Sequence, residues 1–101
     1  MNFQAHALKA SADNACALMK ALANPHRLMI VCSLLDGERS VGALAAVLGV
    51  RESLASQHLS LLRREGVVVA RRDGQTIYYD LQSRPARAVV DTLSHLFCTV
   101  A

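Results

Sequence analysis

The chain has 101 residues, 52% of them hydrophobic but only 4% aromatic, and a formal charge of +3. A chain this short is expected to form one domain with a modest core, so its surplus of Ala, Leu and Val predicts a subunit interface. The most apolar run, residues 28–35, is far too short to span a membrane, and no basic start followed by an apolar stretch marks a signal peptide.

A cytoplasmic location is therefore expected. Three cysteines, Cys16, Cys32 and Cys98, are an odd number, which argues against a structural disulfide framework. The charge is localised. Residues 51–72 hold five arginines against two glutamates, and the rest of the chain is balanced. A concentrated basic segment is the footprint of a polyanionic partner. On charge alone, a solvated surface explains it as well.

Taken in chain order, the sequence predicts five helices and one hairpin. Residues 5–22 carry Leu8, Ala12, Ala15, Leu18, Met19 and Leu22 at helical spacing. Asn24-Pro25 caps and opens a second helix that runs to about Leu35 and stops at Asp36-Gly37. Ser40 caps a short third helix through Leu48, closed by Gly49. The fourth runs from about Glu52 to Arg64, closed by Gly66. Asp73-Gly74 then separates two β-prone arms, Val67–Arg72 and Gln75–Leu81, and marks a two-residue hairpin turn. Arg84-Pro85 opens a fifth helix with an apolar stripe of Val89, Leu93, Leu96, Phe97 and Val100.

Helices three and four, joined by a short turn containing Gly49, have the helix-turn-helix arrangement, about residues 41–64. Helix four buries Ala55, Leu59 and Leu62 and presents Ser53, Ser56, Gln57, Ser60, Arg63 and Arg64 on the other face. Short polar side chains suit a major groove, where Ser and Gln bond base edges and Arg or His reaches phosphates. By itself this helix reads equally well as an amphipathic surface helix. The basic hairpin that follows at once, about residues 67–81, decides between them. A helix-turn-helix followed by a hairpin is a winged helix-turn-helix, mainly α with a β-hairpin wing, and the expected partner is double-stranded DNA. The wing is expected to pack through Val67, Val69, Ile77 and Tyr79 or through their alternates. Ser56 and Gln57 are expected to read bases, Arg71 and Arg72 to contact phosphates, and Ser53, His58, Ser60, Arg63 and Gln75 to complete the surface.

Residues 21–81 resemble the ArsR-type bacterial repressors through Asn24-Pro25-His26-Arg27, Ser56-Gln57-His58-Leu59 with Leu62 and Gly66, and Arg72-Asp73-Gly74-Gln75 with Tyr78-Tyr79. Arg51 departs from the Ser or Thr that opens the recognition helix in many relatives. The resemblance implies a homodimer built from the first and last helices, bound to an inverted-repeat operator. It also implies a sensory function. The family's Cys-x-Cys metal site in the third helix has no counterpart in "SVGALAAVLG". Asp91 and His95, four apart on the last helix, offer an alternative metal pair.

From spacing alone, Cys32 reads as core, in line with Leu28, Val31 and Leu35. Cys98 lies off the apolar stripe, on the flank with Asp91, Ser94 and His95, and a cysteine beside a histidine is a setting for a reactive thiolate. One cysteine in the second helix and one in the last resembles the sulfide- and persulfide-responsive branch of the family. That resemblance implies a thiol switch of Cys32 and Cys98, with reactive sulfur species as inducer and no role for Cys16. No cofactor is expected. Nor is an enzyme: there is no Gly-rich phosphate loop, no His-Glu-x-x-His, and no nucleophile with its base.

Overall fold

The computed structural model describes residues 4–98. In chain order the elements are α1 Ala5–Leu22, α2 Pro25–Leu34, β1 Arg39–Ser40, α3 Val41–Leu48, α4 Glu52–Arg64, β2 Val68–Asp73, β3 Thr76–Leu81 and α5 Arg84–Phe97. Local chemistry sets most of the boundaries. The Asn24 side chain accepts from the Arg27 N–H ahead of Pro25, and Ser40 accepts from Ala43. Ser83, which the pattern of apolar residues does not reveal, caps α5 by accepting from Ala86. Each satisfies one of the N–H groups that a helix start leaves unpaired.

α3 ends at Gly49, whose left-handed φ of +68° turns the chain toward α4. α4 begins differently. Arg51 makes no side-chain cap, and the Glu52 carboxylate instead lies over Gly42 in the first turn of α3. A Cβ on Gly42 would stand 2.9 Å from Glu52 Oε1, so the glycine is what lets the acid approach the positive end of α3.

α2 is the hub. Ile30, Val31 and Leu34 are fully buried, and α1, α3, α4, α5 and β3 all pack on this helix. Leu44 of α3, Leu59 and Leu62 of α4, Val67, Val68 and Tyr79 of the hairpin, and Ala86 and Val90 of α5 complete the core. No helix among the described residues is long and apolar enough to cross a membrane.

Three features differ from the sequence reading. The hairpin turn is centred on Gly74-Gln75, because Asp73 pairs with Thr76. Gly74 carries the positive φ of 63° and Gln75 does not, so Asp73 stays in the strand where an Asp-Gly turn would have freed it. Directly paired residues share a face. Val68, Ala70, Ile77, Tyr79 and Leu81 therefore face the helices, while Val69 points outward and is 47% exposed. Secondly, the sheet has a third strand, in the order β1-β3-β2, since Arg39 and Ser40 pair with Tyr79 and Tyr78. Two residues are too few to show alternation in a sequence.

Thirdly, α2 ends at Leu34 with Leu35 as its cap residue, and Gly37 adopts its positive φ two residues later. The expected apolar stripe of α5 lies apart from its core face. Ala86 and Val90 are buried, whereas Val89, Leu96 and Phe97 are exposed; Val100 lies outside the described residues. On α1, Leu8 and Met19 are likewise exposed.

One polar contact joins α2 to α4. His26 Nδ1 and His58 Nε2 lie 3.4 Å apart, with the two rings edge to face at 5.3 Å between centroids. One ring must donate and the other accept, so the contact requires a neutral partner. Desolvation first, then the nearby His26 and Arg27, hold the His58 pKa below its ordinary value.

Two outcomes are expected. Gly49→Ala meets open space, so its cost is the left-handed backbone alone, about 1–2 kcal/mol, read as a lower urea midpoint with an unchanged slope. A folded-state pKa below the unfolded value means the unfolded chain binds the proton more readily. The His58 contribution is therefore present above about pH 6.5 and is lost as pH falls from there toward the folded value. Urea unfolding of His58→Gln over this range should show a flatter loss of stability than the parent; parallel curves would refute the assignment.

Candidate functional site

The exposed side of α4 is polar along its length. Ser53, Gln57, Ser60 and Arg63 are exposed and Ser56 is half-buried, while Ala55, Leu59 and Leu62 are buried against the core as their spacing requires. Arg64 is exposed in the last turn, where its charge suits the helix dipole. At the wing, Arg72 and Gln75 are exposed at the tip. Arg72 pairs with Ile77, so it extends the helix-facing side of the hairpin beyond Ala70. Together these groups form one polar, cationic surface on the recognition helix and the inner side of the wing.

Two of the nine residues expected there are placed elsewhere. His58 is half-buried and turned toward His26 of α2, because its ring fills the α2–α4 contact. Arg71 pairs with Tyr78 and so stands on the outer side of the hairpin. Its guanidinium passes over the Tyr78 ring at 4.7 Å from the centroid and donates to both Glu38 oxygens, Nε at 3.0 Å and Nη2 at 2.6 Å. The hydrogen bonds to Arg71 hold the Glu38 carboxyl below its ordinary pKa, and Glu38 in turn raises that of Arg71. Glu38 gave no signal in the sequence, being 33 positions from its partner.

The second candidate site lies between α2 and α5. An open groove of about 960 Å³ is lined by Cys32, Leu35, Asp36, Arg84, Arg87, Ala88, Asp91, Ser94, His95 and Cys98. Cys32 is half-buried at the edge of the core, and its Sγ lies 3.5 Å from the hydroxyl of Ser94. Cys98 is exposed at the end of α5, four residues after Ser94 and so about one turn, or roughly 6 Å, further along the axis. Arg87 holds the other end of the groove by donating to the Leu35 carbonyl at 3.1 Å. Ser94 was visible in the sequence only as a neighbour of Cys98; its contact with Cys32 depends on how α5 crosses α2. Cys16 lines a separate groove between α1 and the end of α4, with Lys20 and Arg64.

The alternative metal pair shares the first groove. His95 Nδ1 lies 2.7 Å from the backbone oxygen of Asp91 and 3.8 Å from its carboxylate, which ties that nitrogen to its own helix. No group of three or more metal-binding side chains occurs among the described residues of the chain.

Comparison with known proteins agrees with this geometry. Residues 24–69 match the description "Bacterial regulatory protein, arsR family". The transcriptional activator HlyU of Vibrio cholerae is 43% identical over 98 residues, 97% of this chain and 89% of that protein. A structure of reduced HlyU superposes with a TM-score of 0.88 at 42% identity, covering 91% of this chain and 97% of that one. The transcriptional repressor BigR from Xylella fastidiosa gives 0.85 at 36% identity, over 97% and 100% of the two chains. The homodimeric winged helix-turn-helix DNA-binding domain of Mb0332 from Mycobacterium bovis gives 0.76 at 32% identity, over 100% and 98%. These relatives are transcriptional regulators and not enzymes. With α3 and α4 as its helix-turn-helix and β2–β3 as its wing, the chain is a DNA-binding transcriptional regulator of the arsR family.

Proposed function

We propose that the chain, residues 1–101 acting as one winged helix-turn-helix unit, is a cytoplasmic homodimeric repressor released from operator DNA when Cys32 and Cys98 react with a persulfide. The observation that carries this reading is that one groove is lined by both thiols. Exposed apolar side chains on two helices, Leu8 and Met19 of α1 and Val89, Leu96 and Phe97 of α5, supply the dimer surface. The homodimeric relative supports the same arrangement. Two-fold symmetry then matches an inverted repeat with half-sites about one helical turn apart.

The chemistry balances without an added oxidant. The exposed Cys98 thiolate attacks the terminal sulfur of a persulfide R–S–SH, and R–S⁻ departs with the electron pair of the S–S bond. The Cys32 thiol then attacks the Cys98 persulfide, a Cys32–Cys98 bond forms, and hydrogen sulfide leaves. Cys32 starts opposite Ser94 rather than Cys98, so closing the bridge draws the end of α5 along α2. That favours a dimer shape whose recognition helices no longer fit successive grooves. Coupling of about 1–3 kcal/mol weakens operator binding by roughly 5–150-fold.

On the DNA side, Ser53, Ser56, Gln57, Ser60 and Arg63 face the major groove, with Gln57 and Ser56 reading bases, while Arg72 and Gln75 meet the backbone.

By fluorescence anisotropy, Cys32→Ser and Cys98→Ser should each bind operator when reduced and stay bound on adding persulfide, and Cys16→Ser should release normally. Intact mass should show the internal bridge. Release in the Cys32→Ser/Cys98→Ser double variant, or release that needs zinc, would replace the thiol reading with the metal pair Asp91 and His95. Gln57→Ala should cost about 1–3 kcal/mol and alter base preference, whereas Arg72→Ala should weaken all sequences alike and reduce the salt slope by about one. A changed base preference in Arg72→Ala with its slope intact would reverse those roles.

A further inference from the structure

We propose that Glu38, Arg71 and Tyr78 form a clamp that sets the angle of the wing, and that Arg71 serves DNA binding as a positioning residue and not as a phosphate contact. The three groups cross the outer face of the sheet in its strand order. Arg71 lies on β2, Tyr78 opposite it on β3, and Glu38 just before β1. The Arg71 side chain bridges the other two. It stacks on the ring at 4.7 Å and reaches both carboxylate oxygens beyond, at 2.6 and 3.0 Å.

A lone surface ion pair contributes little, but a two-pronged arginine–carboxylate pair fixes direction as well as distance. Here it acts where fixing is needed. On its helix-facing side the hairpin packs through Ala70, Ile77 and Tyr79, but on the outer side Val69, Arg71 and Asp73 are exposed, and β1 reaches β3 only at Tyr78 and Tyr79. Among the described residues no other side-chain hydrogen bond or ion pair ties this face of the wing to the body. A second carboxylate, Asp73, lies 4.0 Å from Arg71 Nη1, so the guanidinium is already matched with negative charge. A phosphate that used the same Nε–Nη2 edge would have to displace Glu38. Arg72, one residue on, has the opposite direction and no ion pair among the described residues.

The two roles predict opposite signs. If Arg71 were a phosphate contact masked by Glu38, Glu38→Gln would unmask a cation, remove an anion near the DNA, and tighten binding. If the pair is a clamp, Glu38→Gln weakens binding although it removes repulsion. Arg71→Lys keeps the charge but cannot donate through a planar fork, so it separates charge from geometry.

Operator affinity of the full chain should be measured across a salt series for Glu38→Gln, Arg71→Lys, Arg71→Gln and the Glu38→Gln/Arg71→Lys double variant, with amide hydrogen exchange of residues 68–81. We expect each single variant to bind about threefold or more weakly, with the parental salt slope and faster exchange in the hairpin. The double variant should be no weaker than either single one, since both break the same contact. Exchange in α2 and α4 should match the parent, which separates loss of the clamp from loss of fold. Tighter binding by Glu38→Gln, parental binding by both Glu38→Gln and Arg71→Lys, additive losses in the double variant, or a slope reduced by about one in Arg71→Gln would each overturn the proposal.

Discussion

Burial of Ile30, Val31 and Leu34 on a single ten-residue helix is the constraint on which the other elements depend. Within α2 only Pro25 and Met29 are exposed. Its apolar face holds α1, α3, α4, α5 and β3 in one core, and its remaining edges carry contacts of a different kind. At its start His26 meets the recognition helix; in its middle Cys32 meets Ser94 of α5; beyond its end the Leu35 carbonyl receives Arg87. A core packed to solid density transmits displacement rather than absorbing it. The helix that lines the groove holding both thiols is therefore also the helix that packs on α4.

The fold also separates two kinds of arginine. Some, such as Arg63 and Arg72, are exposed and make no ion pair among the described residues, which leaves their charge open to a polyanion. Others are spent on structure. Arg27 reaches back to the carbonyls of Lys20 and Ala21 at the end of α1, Arg39 binds the Ser33 carbonyl, and Arg87 binds that of Leu35. Each satisfies orphan carbonyl groups at or near a helix end. A count of basic residues would place all of them in one electrostatic patch; their hydrogen-bond partners show which ones are available to a polyanion.

Much of this was legible in the sequence because it rests on short-range chemistry. The caps at Asn24 and Ser40, the left-handed glycine at position 49 and the buried series Ala55, Leu59, Leu62 are local, and they sufficed to place the helix-turn-helix. What escaped was set by pairing across the chain. β1 exists only because Tyr78 and Tyr79 accept it as a neighbour. The hairpin register shifts because Asp73 pairs instead of turning. Spacing identified α5 as amphipathic, but the small Ala86 and the Val90 that fill its core face lie outside the stripe it picked out; size alone does not tell an internal face from a surface left for a partner. Cys32 and Cys98 were paired by resemblance, whereas Ser94 and the groove that joins them became visible only when α5 was laid across α2.

Arg71 and Arg72 are identical in chemistry and adjacent in sequence, and they differ in one property, whether their distance from Val68 is odd or even. Parity sends one toward Glu38 and the other toward the helices. The wing is thus free to lengthen or shorten only by an even number of residues per strand below this point. A single insertion between Val68 and Arg71 would exchange the two directions, carrying the cation of Arg71 to the helix-facing side and leaving the residue before it opposite Tyr78. Variation among wings of this kind is accordingly constrained by parity: a change of two residues keeps each side chain on its face and moves the tip, and a change of one exchanges the faces.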